Sequence, residues 1–441
     1  MKKKVIYIIC LICILAGGIL FYNRPMNNID YIKKNSRDLK LNDIDDNSNL
    51  DLIWEGIKDK SIIFTNEYHG IKENSDIQYK FINYLMDNWD LKYFLMECGH
   101  ASGVILNEYL QSGDEKLLND IFEWGILNKT NTEETKEFMK KLYLKNKDLP
   151  ENKRLIIVGL DVVEEEGSVT YYFKDMLEKH KGMPKEQLDK MMNILKYSEL
   201  EWTIGEKSNE FLKILEDLDK DLEENEDVYV KHLDSEGLFD LKLIVNNLKN
   251  NSKLEYEIDG GVTVNKELYE ARDKMNYENF KKIYEHFGGG KYYSHYGINH
   301  IYQNKINNVK FLGTNIKEDP NFKDEIYSIN TIYKEGQSYN YRDLAPMHFY
   351  SITTELENTL KDAGIENGNK IIVLDNKRSP YKKKIFKECF SFFDVYVDEK
   401  LFEANKGVTT DYFQSIIIIE NPTPIKWYWE DFIKENFLNK H

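Results

Sequence analysis

The chain has 441 residues, of which 41% are hydrophobic and 13% aromatic, so it can bury a substantial core and is not a disordered polymer. Its formal net charge is −16, and the residues after position 24 hold 76 acidic against 56 basic side chains. So acidic a domain repels nucleic acid, and no nucleic-acid partner is expected. Apart from Cys10 and Cys13 near the N-terminus, the cysteines are Cys98 and Cys389, whose spacing predicts neither a disulfide framework nor a metal site.

The N-terminus predicts a membrane segment. Three lysines at positions 2–4 precede an uncharged stretch from Val5 to Tyr22, which as a helix rising ~1.5 Å per residue would span about 27 Å, close to a bilayer core. We therefore expect residues 1–24 to be a membrane anchor or signal segment. An uncleaved anchor is favoured because no clear cleavage site follows the small residues at 16–18. The chain would then be a single-pass protein of the cell membrane with an extracytoplasmic catalytic domain, and secretion after signal cleavage is the alternative.

Residues 25–54 are polar and are expected to form a tether. Beyond them, short apolar runs alternate with helical patterns. The runs that predict strands are 61–65, 92–97, 154–160, 291–294, 309–312, 370–375 and 415–420. This alternation predicts an α/β fold, in which residues 55–167 and 257–441 form a three-layer α/β/α hydrolase-like domain around a mainly parallel or mixed central sheet.

The alternation stops between residues 168 and 256. That stretch is long, charged and helical in pattern, so we expect a helical insertion there. It would be either a lid over the sheet or a plain helical subdomain, and the sequence does not separate the two.

Polar residues stand at the ends of four predicted strands. In chain order they are Glu67 and His69, Glu97, Asp161, and the pair His295 and His300. In an open α/β sheet, ligands bind beyond the carboxyl ends of the strands, so these side chains are expected to meet in one site.

The spacing of Glu67 and His69 predicts proton transfer. A carboxylate two residues from a histidine can hold the imidazole in one tautomer and raise its pKa, and His69 can then deprotonate a water that attacks an ester carbonyl. Gly70 allows the backbone to turn sharply beside it. The sequence contains neither G-x-S-x-G nor H-E-x-x-H, so a serine nucleophile and that zinc motif are not indicated.

Residues 66–73, Asn-Glu-Tyr-His-Gly-Ile-Lys-Glu, resemble the G-E-x-x-H-G-x-x-E signature of the erythromycin esterase family, with Asn66 in place of its leading glycine. Glu97 resembles the family's next acidic position, and residues 159–161 match its G-x-D. Residues 272–279 are similar to its R-D-x-x-M-x-x-N helix, and residues 299–301 to the end of its histidine motif. The ordered set covers about residues 55 to 315, and the later strands fit the broader Tiki-like/haem-uptake fold.

The resemblance implies hydrolysis of an ester, such as a macrolide lactone, without a cofactor and with His69 as the general base. The other catalytic residues that it implies are Glu67, Glu97 and His300. The implied substrate-binding residues are Glu73, Arg272, His295 and Asp161. Because the family's paired histidines lie closer together in sequence, either His295 or His300 can be the second histidine of the site.

Two other functions stay open. In a Tiki-like peptidase or hydrolase, a set such as Glu67, His69, Glu97 and His300 would bind a divalent metal that activates water. In a non-enzymatic protein, the same cleft would bind haem or another apolar ligand, although the carboxylates around His69 argue against it. The partners expected for the favoured function, an ester hydrolase, are a small-molecule ester and the membrane contacted by residues 5–22.

Overall fold

The computed structural model describes residues 24–41, 43, 46–125, 127, 131–198, 206–251, 266–341, 343–390, 404 and 406–430. The strands, in chain order, are β1 (Ser36–Asp38), β2 (Ile62–Glu67), β3 (Tyr93–Gly99), β4 (Ile156–Asp161), β5 (Tyr292–Gly297), β6 (Ile326–Tyr333), β7 (Gly336–Asn340), β8 (Ala345–Phe349), β9 (Lys370–Val373) and β10 (Ser415–Ile419). Eight of them form one sheet in the order β1-β9-β10-β6-β2-β5-β3-β4, and β7 and β8 form a separate antiparallel hairpin.

The helices of the described residues are α1 (Asn28–Lys34), α2 (Trp54–Ile57), α3 (Glu73–Asn88), α4 (His100–Ser112), α5 (Glu115–Glu123), α6 (Glu133–Asn146), α7 (Glu166–Lys179), α8 (Lys185–Ser198), α9 (Glu206–Glu224), α10 (Glu226–Asn251), α11 (Lys266–His286), α12 (Leu312–Glu318) and α13 (Thr354–Asp362). They cover both faces of the sheet. Ile63 belongs to a core cluster with α3 to α6, whereas its neighbours Ile62 and Phe64 belong to a second cluster with α1, α11, α12 and α13. Since successive strand residues face opposite sides, this division confirms the predicted α/β fold.

The six strands from β10 to β4 pair in parallel, while β9 and β1 are antiparallel at the edge. The carboxyl ends of β2, β3, β4 and β5 therefore meet at one edge of the sheet, as expected from the sequence. The predicted strands at 61–65, 92–97, 154–160, 291–294, 370–375 and 415–420 are confirmed within a few residues.

Two differences from the predicted strands concern the run 309–312 and the central strand β6. The run 309–312 is not a strand, because Leu312 begins α12 and its backbone N–H donates to Asp273 Oδ2 at 2.8 Å. The central strand β6 was not predicted, because polar residues interrupt its apolar run. Two of them, Ser328 and Asn330, are fully buried and satisfied by hydrogen bonds to Ile301 O and from Asn66.

Helices α7 to α10 begin at Glu166, two residues before the segment predicted as an insertion, and end within it. They share a core cluster of their own, which reaches the main domain at Ala101. Residues 199–205 and 252–256 lie outside the described residues. The boundaries of the insertion and its role as a lid stay predictions.

The N-terminal predictions need correction. Residues 25–54 do not form a tether over their described part, because Tyr31 and Ile32 of α1 are fully buried and β1 pairs with β9 at the sheet edge. Among the described residues, no helix has the length and apolar character needed to cross a bilayer. The predicted single-pass membrane location is therefore not supported. The stretch Val5–Tyr22 on which it was based lies outside the described residues.

Candidate active site

Glu67 is the last residue of β2, and its carboxylate contacts two histidines. Oε1 lies 2.7 Å from Nδ1 of His69, whose side chain is 39% exposed. Oε2 lies 3.1 Å from Nε2 of the buried His295, close enough for an ion contact although not well aligned for a hydrogen bond. Burial alone would raise the pKa of Glu67, but its contacts with His295 and His69 outweigh burial and hold that pKa well below its usual range. Glu67 is therefore a carboxylate at neutral pH.

A hydrogen bond to a residue of the neighbouring strand holds the ring of His295 in place. Its Nδ1 lies 2.6 Å from Oγ1 of Thr65, which also hydrogen-bonds the hydroxyl of Tyr293 at 2.6 Å. His295 thus lies behind Glu67 and does not line the cleft. From this position it can orient the carboxylate of Glu67 but cannot contact a ligand.

The backbone beside His69 is held in a conformation that requires glycine. Gly70 has a φ of +87°, and a Cβ there would lie 2.6 Å from the carbonyl oxygen of Tyr339 in β7. The carbonyl of Gly70 accepts hydrogen bonds from the N–H groups of Tyr339 at 2.8 Å and Ile425 at 3.1 Å. The loop that carries His69 is therefore attached to both the hairpin and the segment after β10.

A second charged group lies across the cleft on β3, β4 and α11. Nη2 of Arg272 lies 3.2 Å from Oε1 of Glu97, and its guanidinium also forms a bidentate pair with Asp161. Burial would raise the pKa of Asp161, but the charge of Arg272 outweighs it and holds that pKa below its usual value. The second oxygen of Glu97 accepts a hydrogen bond from the N–H of Gly297 at 2.6 Å. Arg272 therefore compensates the buried Asp161 and the partly buried Glu97 at once.

His300 is the other histidine of the cleft. Its Nδ1 lies 2.6 and 2.8 Å from the two oxygens of Asp273, a carboxylate that is fully buried. Its Nε2 lies 3.7 Å from Oε1 of Glu97. Burial by itself would lower the pKa of His300, but Asp273 and then Glu97 outweigh burial and raise it above its usual value.

One cleft of about 470 Å³ is lined by Glu67, His69, Glu97, Arg272 and His300. Its floor is charged and its walls are largely aromatic, with residues of the β7–β8 hairpin forming one wall. The lining residues are Glu67, Tyr68, His69, Glu97, Tyr269, Arg272, Gly297, Ile298, Asn299, His300, Phe311, Tyr339, Asn340, Tyr341 and Met347.

The structure brings most of the predicted site residues together. Asp161 and His295 lie just beneath the lining and contact Arg272 and Glu67. Glu73 is elsewhere, since at the start of α3 its carboxylate accepts hydrogen bonds from the N–H and hydroxyl of Thr423 at 2.9 and 2.6 Å. Sequence reasoning missed Asp273 as a partner of His300, although Asp273 adjoins Arg272 in the motif already quoted.

The donor set bears on metal binding. Within the described ranges, no three or more His, Cys, Asp or Glu side chains are grouped so that they could hold a metal ion. Arg272 places a positive charge against Glu97, which is where the metal alternative would need a ligand. A divalent metal in this cleft stays an alternative, which chelation with EDTA tests.

No family model and no curated protein matches the sequence. Solved structures do match the fold. A protein from Bacillus cereus has a TM-score of 0.68 at 14% identity, with 91% of this chain and 99% of that chain covered. A succinoglycan biosynthesis protein has a TM-score of 0.62 at 16% identity, with 91% and 98% covered. The erythromycin esterase EreC, a histidine-to-asparagine variant in its open conformation, has a TM-score of 0.63 at 12% identity, with 88% and 98% covered. The chain therefore has an erythromycin esterase-like fold, as its motifs predicted.

Proposed function

We propose that this chain hydrolyses a small-molecule ester, with His69 as the general base. The observation that carries the proposal is the contact between Glu67 Oε1 and His69 Nδ1 at 2.7 Å, with the imidazole reaching into a cleft. A base must reach both its orienting carboxylate and the water from which it takes a proton, and the proposal is supported because His69 contacts Glu67 and lines the cleft.

The contact with Glu67 also sets the tautomer of His69. An ionised carboxylate accepts a hydrogen bond, so neutral His69 carries its proton on Nδ1 and Nε2 is the basic nitrogen. Nε2 takes a proton from water as the water oxygen attacks the ester carbonyl. Glu67 then stabilises the imidazolium that forms, because its charge lies against the ring.

Positive charge is available for the negative charge that develops on the ester oxygen. Arg272 lines the cleft and is kept cationic by its buried carboxylate partner, Asp161. Cationic groups that are fixed before the reaction stabilise an oxyanion without reorganisation. In the proposed reaction no cofactor takes part.

The substrate class is proposed from the cleft and from one structural neighbour. A volume of about 470 Å³ is within the ordinary range of small-molecule sites, and the aromatic walls suit an apolar ring. The neighbour EreC is an erythromycin esterase. We therefore propose macrolide lactones as the first cyclic esters to test, with simple carboxylic esters beside them.

The test is a hydrolysis screen of the full chain against macrolides and simple esters, with and without EDTA. The proposal expects turnover of at least one ester and no loss on chelation. Loss of activity with EDTA and its return with a divalent metal would instead support a metal-dependent hydrolase. Tight binding of haem without any turnover would support the binding-protein alternative.

A further inference from the structure

We propose that Asp273 is a positioning residue that makes His300 the proton donor to the leaving group of the ester. This inference rests on the proposed function and adds a second, acidic half to the reaction. It assigns a role to a carboxylate of α11 that does not line the cleft but contacts His300, which does.

The geometry fixes which nitrogen of His300 can donate. Asp273 has no exposed surface and is contacted by two donors, His300 Nδ1 at 2.6 and 2.8 Å from its two oxygens and the N–H of Leu312 at 2.8 Å. Its orientation is therefore set by both the histidine and the start of α12. With Nδ1 turned toward Asp273, the opposite nitrogen, Nε2, is the one at the cleft.

The surroundings of Nε2 leave its proton available to a ligand. Oε1 of Glu97 lies 3.7 Å away, which is too far for a hydrogen bond. That oxygen already accepts from Arg272, and the other oxygen of Glu97 accepts from Gly297. The ring of Tyr296 packs edge-on against the imidazole with the centroids 4.9 Å apart.

The charged groups that face His300 come from three elements. They are Asp273 and Arg272 on α11, Glu97 on β3 and Asp161 at the end of β4. Asp273 is the one among them that bonds the ring directly, so its removal should change His300 more than the removal of any other. The single positive charge of Arg272 is shared between the carboxylates of Asp161 and Glu97.

The proposed step balances as follows. After water has added to the carbonyl and His69 has taken its proton, the tetrahedral intermediate collapses and the bond from carbon to the leaving oxygen breaks. That oxygen takes the proton from Nε2 of His300, and neutral His300 regains a proton from solvent or from His69. Ester and water give acid and alcohol, and no further reactant is needed.

Leaving groups of different basicity separate this role from a structural one. An alkyl ester expels a basic alkoxide that needs a proton, whereas a 4-nitrophenyl ester expels a weak base that does not. Asp273→Asn should therefore lose at least about 10²-fold in kcat on alkyl esters, the lower end for an acid–base catalyst, and only a few-fold on 4-nitrophenyl esters. KM should stay close to that of the wild type.

Asp221→Asn is the matched control, because Asp221 is also buried and hydrogen-bonded, by the hydroxyl of Tyr229 at 2.7 Å, but lies on α9 away from the cleft. It should lower stability without any leaving-group dependence. An Asp273→Asn enzyme that loses both ester classes equally, or neither, overturns the role of Asp273 and leaves the proposed hydrolase intact. A wild-type chain that hydrolyses neither class ends both proposals.

A measurement on the wild-type protein covers the case in which Asp273→Asn does not fold. Proton NMR should show a strongly deshielded Nδ1 proton on His300, assigned by its loss in His300→Gln. His300→Gln should also show the same selective loss on alkyl esters. Absence of that resonance, or an equal loss on both ester classes, overturns the proposal.

Discussion

Two carboxylate–imidazole pairs lie at the cleft. In each pair the carboxylate contacts Nδ1 of the histidine, but the two pairs differ in burial. In the Glu67–His69 pair the imidazole is 39% exposed, whereas in the Asp273–His300 pair the side chains are 0% and 8% exposed. The carboxylate of the first pair is divided between two histidines, and that of the second bonds one histidine and a backbone N–H. The first ring is open to water, whereas the second is enclosed and has a pKa that Asp273 raises above its usual value. A carboxylate paired with an imidazole can thus serve as a base or as an acid, depending on its surroundings.

Removing the exposed imidazole should have the largest effect on the rate. His69→Ala should lower kcat by about 10²–10⁴, the usual contribution of a general base, because no other side chain replaces Nε2. The fold should persist, since the ring lies on a loop and packs little. Steady-state hydrolysis and a circular dichroism spectrum measure the two effects.

His348→Ala is its matched control, because His348 also contacts a carboxylate, Glu335, at 3.1 Å but is 61% exposed and outside the cleft. It should retain the wild-type rate. A folded His69→Ala protein with unchanged ester hydrolysis would show that His69 is not the base.

Removing the shared cation should have the largest effect on stability. Arg272→Met leaves Glu97 and Asp161 without their partner, and breaking a buried ion pair in this way costs about 3–5 kcal/mol of unfolding free energy. Urea unfolding measures it. Lys145→Met removes a cation of the same exposure, 23%, from the half-exposed Asp87 and should cost far less. Equal losses in the two variants would contradict the role given to Arg272.

Neutralising the carboxylate of the exposed pair should reduce the rate by about 10²-fold, near the lower limit for general acid–base catalysis. Glu67→Gln keeps the shape of the side chain but removes the charge that stabilises imidazolium at His69. Glu335→Gln repeats the change at the surface pair and should be silent. A Glu67→Gln enzyme with wild-type kcat would mean that His69 needs no carboxylate.

The enclosed pair should produce the smallest effect, a change in how stability depends on pH. The pKa of His300 is raised in the folded protein above its unfolded value of about 6.5. The contribution of His300 to the free energy of unfolding is therefore full below about pH 6.5 and is lost as pH rises through the folded pKa. The stability difference between the wild type and His300→Gln should therefore shrink from pH 6 to pH 9. Urea unfolding across that range checks the sign, and a difference that grows would contradict it.

The sequence predicted the elements whose chemistry is uniform along the chain. The predicted apolar runs at 61–65 and 415–420 form strands because both faces of this sheet are covered, and Glu67 and His69 follow the first run at its carboxyl edge. It failed where a residue's partner is remote. Asn330 and Thr331 kept β6 from being predicted, because polar side chains are not expected in a buried strand. Both are buried against Asn66, more than 260 positions away in the chain.

The same reason explains what was missed in the site. Asp273 lies in a mixed, charged helix and looks solvated in the sequence, but its partner His300 comes from the loop after β5. Glu73 was expected in the cleft because the resemblance implied a substrate-binding role for it, yet its carboxylate contacts Thr423 instead. The hairpin wall carries no catalytic motif, so its contribution to the cleft is visible in the structure alone.

The carbonyl of Gly70 joins two parts of the chain that are distant in sequence, because it accepts from Tyr339 of the hairpin and from Ile425. Tyr339 also belongs to the wall of the cleft. The peptide next to the base is thus mechanically coupled to a surface that a ligand would touch. A change of specificity can therefore alter hairpin side chains, such as Met347, but an insertion that shifts the backbone at Tyr339 would displace His69 as well. Engineering of this cleft should keep the hairpin's length and vary its side chains.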